Sequence, residues 1–301
     1  MQQIRTILCP IDFSAATRRQ TELAADLCRV FGSRLVLHHN ISGLSAGMAV
    51  GWMYAADHPP VSEASADQRM QEFMKSLPPD IPAIAHVTRG QLSQTVVGMA
   101  AEVEADLVVL STHREAHADS DDDHASLAEQ VLDRATCAVL ALHEAAVEPN
   151  PPRFALSGPR QILVVPTDFT DGSRAALDFA FDLSRRIPFE LHLVHFLMSR
   201  AGRDEARDLA GVAEQRLMEL LPEDLAGSAK LHVESGDAVR GIPDAARRLS
   251  AACIVMGEHN RRPIRRWLNR DTARAVLHEA PCPVWYVPGQ RAAQETRGRS
   301  A

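Results

Sequence analysis

Short apolar runs alternate with segments of helical periodicity along the whole chain. Residues 4–11 form the first apolar run. Ser14 then stands where a helix N-cap belongs, and Leu23, Ala24, Leu27 and Phe31 recur at helical spacing until Gly32-Ser33 stops the pattern. Arg34–His39 reads as a second strand, followed by a loop over 41–61. Residues 62–77 predict a helix ending at Pro78-Pro79, Ala83–Val87 a third strand, and 92–103 a helix. Leu107–Leu110, 126–134 and Ala138–His143 follow as strand, helix and strand. These runs are too apolar for a sheet with one wet face, so the pattern predicts a parallel sheet covered by helices on both sides.

The whole pattern then occurs again, over 161–287. Ile7-Leu8-Cys9-Pro10-Ile11-Asp12-Phe13-Ser14 returns 156 positions later as Leu163-Val164-Val165-Pro166-Thr167-Asp168-Phe169-Thr170, and His39 returns as His195. Gly90 matches Gly236, and Leu107–Ser111 matches Cys253–Gly257, both at a spacing of 146. Val131-Leu132 and Cys137-Ala138-Val139 match Val276-Leu277 and Cys282-Pro283-Val284. A repeat of this length is a duplicated domain rather than a short solenoid unit. The predicted organisation is a domain over 1–145, a proline-rich linker over 146–159, a second domain over 160–289 and a polar tail over 290–301. In open sheets of this kind ligands bind beyond the carboxyl ends of the strands, where the strand order reverses. That rule selects Pro10–Ser14 with Ser111–Ala125, and Pro166–Thr170 with Gly257–Asp271.

Composition narrows the function classes. The 301 residues are 46% hydrophobic and 24% charged, and the net charge of −7 gives no electrostatic reason to expect nucleic acid. No apolar stretch is long enough to span a bilayer, and the first residues lack a signal-peptide layout, so a cytoplasmic protein is expected. The five cysteines are scattered through apolar runs, which reads as buried free thiols.

The ordered set of Pro-Ile-Asp-Phe-Ser (10–14), Pro-Thr-Asp-Phe-Thr (166–170), the His closing each second strand, Val-Met-Gly-Glu-His (255–259) and Ala-Pro-Cys-Pro-Val (280–284) resembles the universal stress protein family in its tandem form. The resemblance implies two flavodoxin-like, doubly wound α/β domains, each with a five-stranded parallel sheet, and pairing of the two domains through their fifth strands. Dimerisation of the chain is a further expectation. Some members bind ATP, with an Asp after strand one near adenine and a glycine motif after strand four. Glycines there let backbone N–H groups approach phosphate at a helix N-terminus.

The first copy departs from that motif, with Ser111, Arg114 and Ala125-Ser126 at the glycine positions and Asp119, Asp121, Asp122 and Asp123 between them. Clustered carboxylates repel a triphosphate, and the plain alternative is a solvated acidic loop. The second copy keeps Pro166, Thr167, Asp168, Met256 and Gly257, and Asn260 stands in for the second glycine because Asn tolerates left-handed backbone. These six residues are its candidate nucleotide contacts, with ATP the implied cofactor. Arg261, Arg262, Arg265, Arg266 and Arg270 crowd the same loop, where guanidinium groups can take phosphate or simply be solvated. His113 and His117, with His124 and the acidic cluster, offer donors for a divalent metal in the first domain, although a loop weakens that spacing.

Two kinds of function compete. One is a stress-response binding or regulatory module with at most one nucleotide or anion site, in the second domain. The other is a slow ATP hydrolase or metal-assisted phosphohydrolase, for which no nucleophile–base pair or hydrolase motif is visible. A third reading, binding of an apolar ligand or protein partner, rests on Leu44, Met48, Val50, Trp52, Met53 and Tyr54, which serve equally as an interdomain cover.

Overall fold

A computed structural model of the chain describes residues 3–41, 63–112, 127–143, 160–198, 203–257 and 266–289. The first copy runs β1 (Thr6–Ile11), α1 (Ala15–Phe31), β2 (Arg34–Ile41), α2 (Glu63–Lys75), β3 (Ala83–Arg89), α3 (Leu92–Glu102), β4 (Leu107–Thr112), α4 (Leu127–Leu132) and β5 (Ala138–His143). The second runs β6 (Gln161–Pro166), α5 (Asp171–Arg186), β7 (Phe189–Leu197), α6 (Arg203–Leu220), α7 (Glu223–Ala226), β8 (Ala229–Ser235), α8 (Ala238–Arg248), β9 (Cys253–Gly257), α9 (Arg266–Glu279) and β10 (Val284–Val287). Helix α2 is shorter than its apolar pattern predicts. The Ser76 hydroxyl and the Ser76 amide both bond Phe73 O, which closes the last turn ahead of the prolines.

The chain divides into two compact units. One holds Gln3–Ser111 with the segment containing α4, and the other runs from Thr136 onward. In the first, the strand order is β3-β2-β1-β4 and these strands pair in parallel. In the second, β10-β9-β6-β7-β8 are parallel, and β5 pairs antiparallel with β10, setting Leu140 opposite Trp285. Both units are therefore doubly wound α/β folds. The alternation of side chains along a strand assigns the helices to faces. His39 lies on the α2 side of the first sheet and Asn40 on the α3 side, where its Oδ1 accepts from Thr95.

Local chemistry explains the ends of these elements. Ser14 Oγ accepts from Thr17 N, and α1 stops at Gly32, whose φ of 67° is the left-handed cap geometry a glycine takes without strain. Thr170 and Ser173 form a reciprocal capping box at the start of α5. Helices α3 and α8 end on non-glycine left-handed residues, Glu104 and Ser250, both at φ 52°. Ala105 N then bonds Ala100 O at 2.8 Å and Ala251 N bonds Ala246 O at 2.9 Å, the six-to-one bond of a Schellman ending.

One buried polar cluster sits beneath α3. His38 is 1% exposed and its Nε2 meets Thr88 Oγ1 at 2.7 Å, while its Nδ1 has no partner among the described residues. Burial, with the neighbouring His39 and His86, pushes its pKa down to about 4.

Two predictions follow from these positions. Ser250→Gly relieves the left-handed strain and should raise stability by about 1 kcal/mol in urea unfolding. For His38, the unfolded chain binds the extra proton below about pH 6.5 and the folded chain only near pH 4. Stability should therefore fall as pH drops through that window, by roughly 3 kcal/mol in full. His38→Val, the residue of the second copy at this place, should remove that component of the pH dependence.

Candidate functional site

Each central strand hands the chain to a helix through a turn of three or four residues, and the last three carry the candidate chemistry. In the first copy they are Asp12, Phe13 and Ser14, and in the second Asp168, Phe169 and Thr170. Both aspartates are exposed and fold back on the turn. Asp12 Oδ1 accepts from Ser14 N (2.8 Å) and Thr17 Oγ1 (2.9 Å). Asp168 Oδ1 accepts from Thr170 N (3.1 Å) and Thr170 Oγ1 (2.6 Å). Thr167 is buried just behind, with its hydroxyl on Ser173 Oγ at 3.1 Å. The turn-forming role of each aspartate thus coexists with its position at the strand tip.

The phenylalanines are strained. Phe13 has φ 65° and Phe169 φ 63°, and neither terminates a helix as Glu104 and Ser250 do. A left-handed L-residue costs on the order of 1–2 kcal/mol. A stack holds each one. His39 and His195 lie with ring centroids 4.5 Å from their phenylalanines, tilted by 46° and 45°. Their Nδ1 atoms donate to Ile11 O (2.9 Å) and Thr167 O (2.8 Å), which fixes the Nδ1–H tautomer in both. The guanidiniums of Arg69 and Arg216 cover the rings at 4.6 and 4.1 Å. Such a contact contributes about 0.5–1 kcal/mol at an exposed site, comparable with the strain. The sequence reading singled out the histidines but missed the arginines. Their signal was available, since Arg69 and Arg216 occupy matching places in the two copies.

The second loop of each site tells the copies apart. The β6–β9 register pairs Leu163 with Cys253 and Val164 with Ile254, which brings Thr167 level with Gly257. A Cβ on Gly257 would lie 1.9 Å from Gly172 O, in the first turn of α5. Gly257 is therefore required by the close approach of helix and strand, whatever binds nearby. Its counterpart Ser111 keeps a side chain, and its hydroxyl donates to Gln20 Oε1 at 2.7 Å. Gln20 is 1% exposed, and its Nε2 bonds Pro10 O and Val109 O, each at 2.8 Å. The second copy has buried Ala176 where Gln20 stands.

The four buried thiols are not poised for chemistry. Burial pushes Cys9 up to about 11 and Cys28 and Cys282 up to about 12. Among the described residues no cluster of three or more metal-ligating side chains occurs. Of the candidate nucleotide contacts, Pro166, Thr167, Asp168, Met256 and Gly257 meet at the tips of β6 and β9. Asn260, the metal candidates His113 and His117, the acidic cluster, the arginines of 261–265 and the apolar segment 44–57 lie outside the described residues.

The steric reading of Gly257 makes a paired prediction. Gly257→Ala should cost about 2–3 kcal/mol in chemical unfolding, because backbone rather than a flexible side chain meets the new methyl. Ser111→Gly should cost only about 1 kcal/mol, from one lost hydrogen bond and added backbone freedom.

The universal stress protein family model matches residues 3–143 and again 159–288. A universal stress protein from Archaeoglobus fulgidus DSM 4304 superposes with a TM-score of 0.65 at 17% identity, covering 96% of this chain and 98% of that one. A proposed universal stress protein from Pseudomonas aeruginosa UCBPP-PA14 gives 0.64 at 16% identity, covering 99% and 98%. At such identities the superpositions speak for the fold. No curated protein matches the chain with significance. The two family matches, in the order and at the places where the repeat lies, assign the chain to the universal stress protein family as a tandem member.

Proposed function

We propose that the chain is a stress-response binding module whose second copy holds one nucleotide, with ATP the first choice, at the crevice between β6 and β9. The observation that supports this reading is the alignment of Thr167-Asp168 with Gly257, beside small Ala176 rather than a glutamine. Asp168 stands where the family resemblance puts adenine, and a carboxylate there accepts from an exocyclic amino group. The arginines of 261–265 supply, by sequence, the charge that a polyphosphate needs in place of the lost glycines. In the first copy, Gln20 and Ser111 are bonded to each other at the matching place, and the loop beyond is acidic by sequence. That copy is read as a companion without nucleotide.

Titration calorimetry of the whole chain with ATP, alone and with Mg²⁺, tests this. We expect saturable binding near one site per chain, weakened about tenfold or more by Asp168→Ala and unchanged by Asp12→Ala, which corresponds to about 1.4 kcal/mol. Circular dichroism would confirm that both variants fold. Gly257 variants are unsuitable probes because the glycine is a packing residue. No heat with either form of ATP, or equal loss in both aspartate variants, would sink the assignment. Steady phosphate release from bound ATP would replace the module by a hydrolase.

A further inference from the structure

Away from the strand tips, the face of the second sheet beneath α8 carries a chain of ionisable side chains. Glu190 and His192 alternate along β7, and Lys230, His232 and Glu234 alternate along β8. The register sets His192 opposite Lys230 and Val194 opposite His232. Glu190 Oε1 accepts from Lys230 Nζ at 2.6 Å and from His192 Nε2 at 3.1 Å. A carboxylate only accepts, so His192 carries its proton on Nε2 and turns the lone pair of Nδ1 outward. His232 Nε2 lies 3.0 Å from that Nδ1 and is therefore the donor. The two rings stack with centroids 5.0 Å apart and planes 20° from parallel. Both tautomers are fixed by the carboxylate at one end.

This arrangement answers protons in two unequal steps. One added proton leaves the bond between the rings in place, because one neutral imidazole still offers a lone pair to the N–H of the other. With a proton on every ring nitrogen, neither His192 Nδ1 nor His232 Nε2 can accept. Two N–H groups would then face each other across the same gap, and two stacked cations would repel. The bond between the strands must break.

Edge position decides what gives way. Strand β8 is paired only on its β7 side among the described residues. His192 is 2% exposed, so its charge cannot turn to solvent without movement of the backbone above it. We infer that Glu190, His192 and His232 form an acid-sensitive clasp between β7 and β8, which lets the β8 edge loosen when both imidazoles are protonated. The charges around it set the working range. Burial is the largest influence lowering the His232 pKa, joined by His192, Arg248 of α8 and Lys230, and opposed by Glu234. Arg248 is itself paired with Glu234, and Asp244 and Arg247 of α8 pair with each other. On the opposite face, Arg185 of α5 is paired with Asp182 and with Asp224 of α7, and Arg216 of α6 lies over Phe169.

The first copy supplies the contrast. It keeps His86 in the place of His232 but has Val36, Arg34 and Ile84 where the second copy has His192, Glu190 and Lys230. The clasp belongs to one unit.

Amide exchange of the full chain in a His38→Val background, read as protection factors at pH 7.5 and 5, tests the inference. The background removes the buried histidine of the first unit. Protection of 230–235 should fall at least tenfold on acidification while β6 and β9 keep theirs, and His192→Val should abolish the fall. Imidazole nitrogen shifts at pH 7.5 should show both rings protonated on Nε2. Because His192→Val could unsettle β7, His192→Gln serves as a second variant without a titrating group, and it should also flatten the response. Unchanged β8 protection at pH 5, an equal fall in both variants, or an Nδ1–H tautomer in either ring would overturn the clasp.

Discussion

A strand that is buried on both faces and paired on both edges has one free place, its carboxyl tip. Strand β1 has all six residues buried and partners on both sides, and β6 occupies the same position in its own unit. The chain must leave that tip and begin the covering helix within three or four residues. An aspartate closes the turn, a phenylalanine takes the left-handed kink, and Ser or Thr caps the helix. The strain at Phe13 and Phe169 comes from this short passage, and the His and Arg that sandwich them brace it. The groups available to a ligand are where they are because the strand leaves them nowhere else to be.

The scaffold is shared while its interior is exchanged. In the first copy Ser111 bonds Gln20, and Cys9 Sγ lies within hydrogen-bond reach of both Gln20 Nε2 and Thr21 Oγ1, where Ala176, Gly257 and Leu177 stand in the second. A buried amide is tolerated only when its donors and acceptor are all engaged, and those of Gln20 are. Under α3 and α8 the trade runs the same way. Asn40 and Thr95 are bonded in the first copy, and the Phe196 ring presses on Gly241 in the second. Each exchange involves both partners of a contact, as close packing demands.

The strands, helices and duplication were legible because buried parallel strands write themselves as continuous apolar runs and because the runs came twice. The helix cap at Ser14 was legible for local reasons, and its repeat match Thr170 caps the corresponding helix. The role of Gly257 was not. A glycine after a strand reads as room for a phosphate, whereas here a helix backbone three-dimensionally adjacent, though far away in sequence, fills the room. The stacking arginines carry only the signal of recurring at matching places, since an exposed Arg on a helix otherwise looks like any solvated charge until the phenylalanine beneath it is known. The chain of Glu190, His192 and His232 needed the strand register, which periodicity leaves open.

Contact between Gly257 and the first turn of α5 has a consequence for how such a domain changes over time. Gly172 and Gly257 touch through backbone, and the first copy has Ala16 and Ser111 at the two places. Neither member of such a pair can gain a side chain while the other stays put, so the two inherit as a unit. A glycine retained there would survive in a lineage that had given up every ligand, and its presence in a descendant is a record of packing.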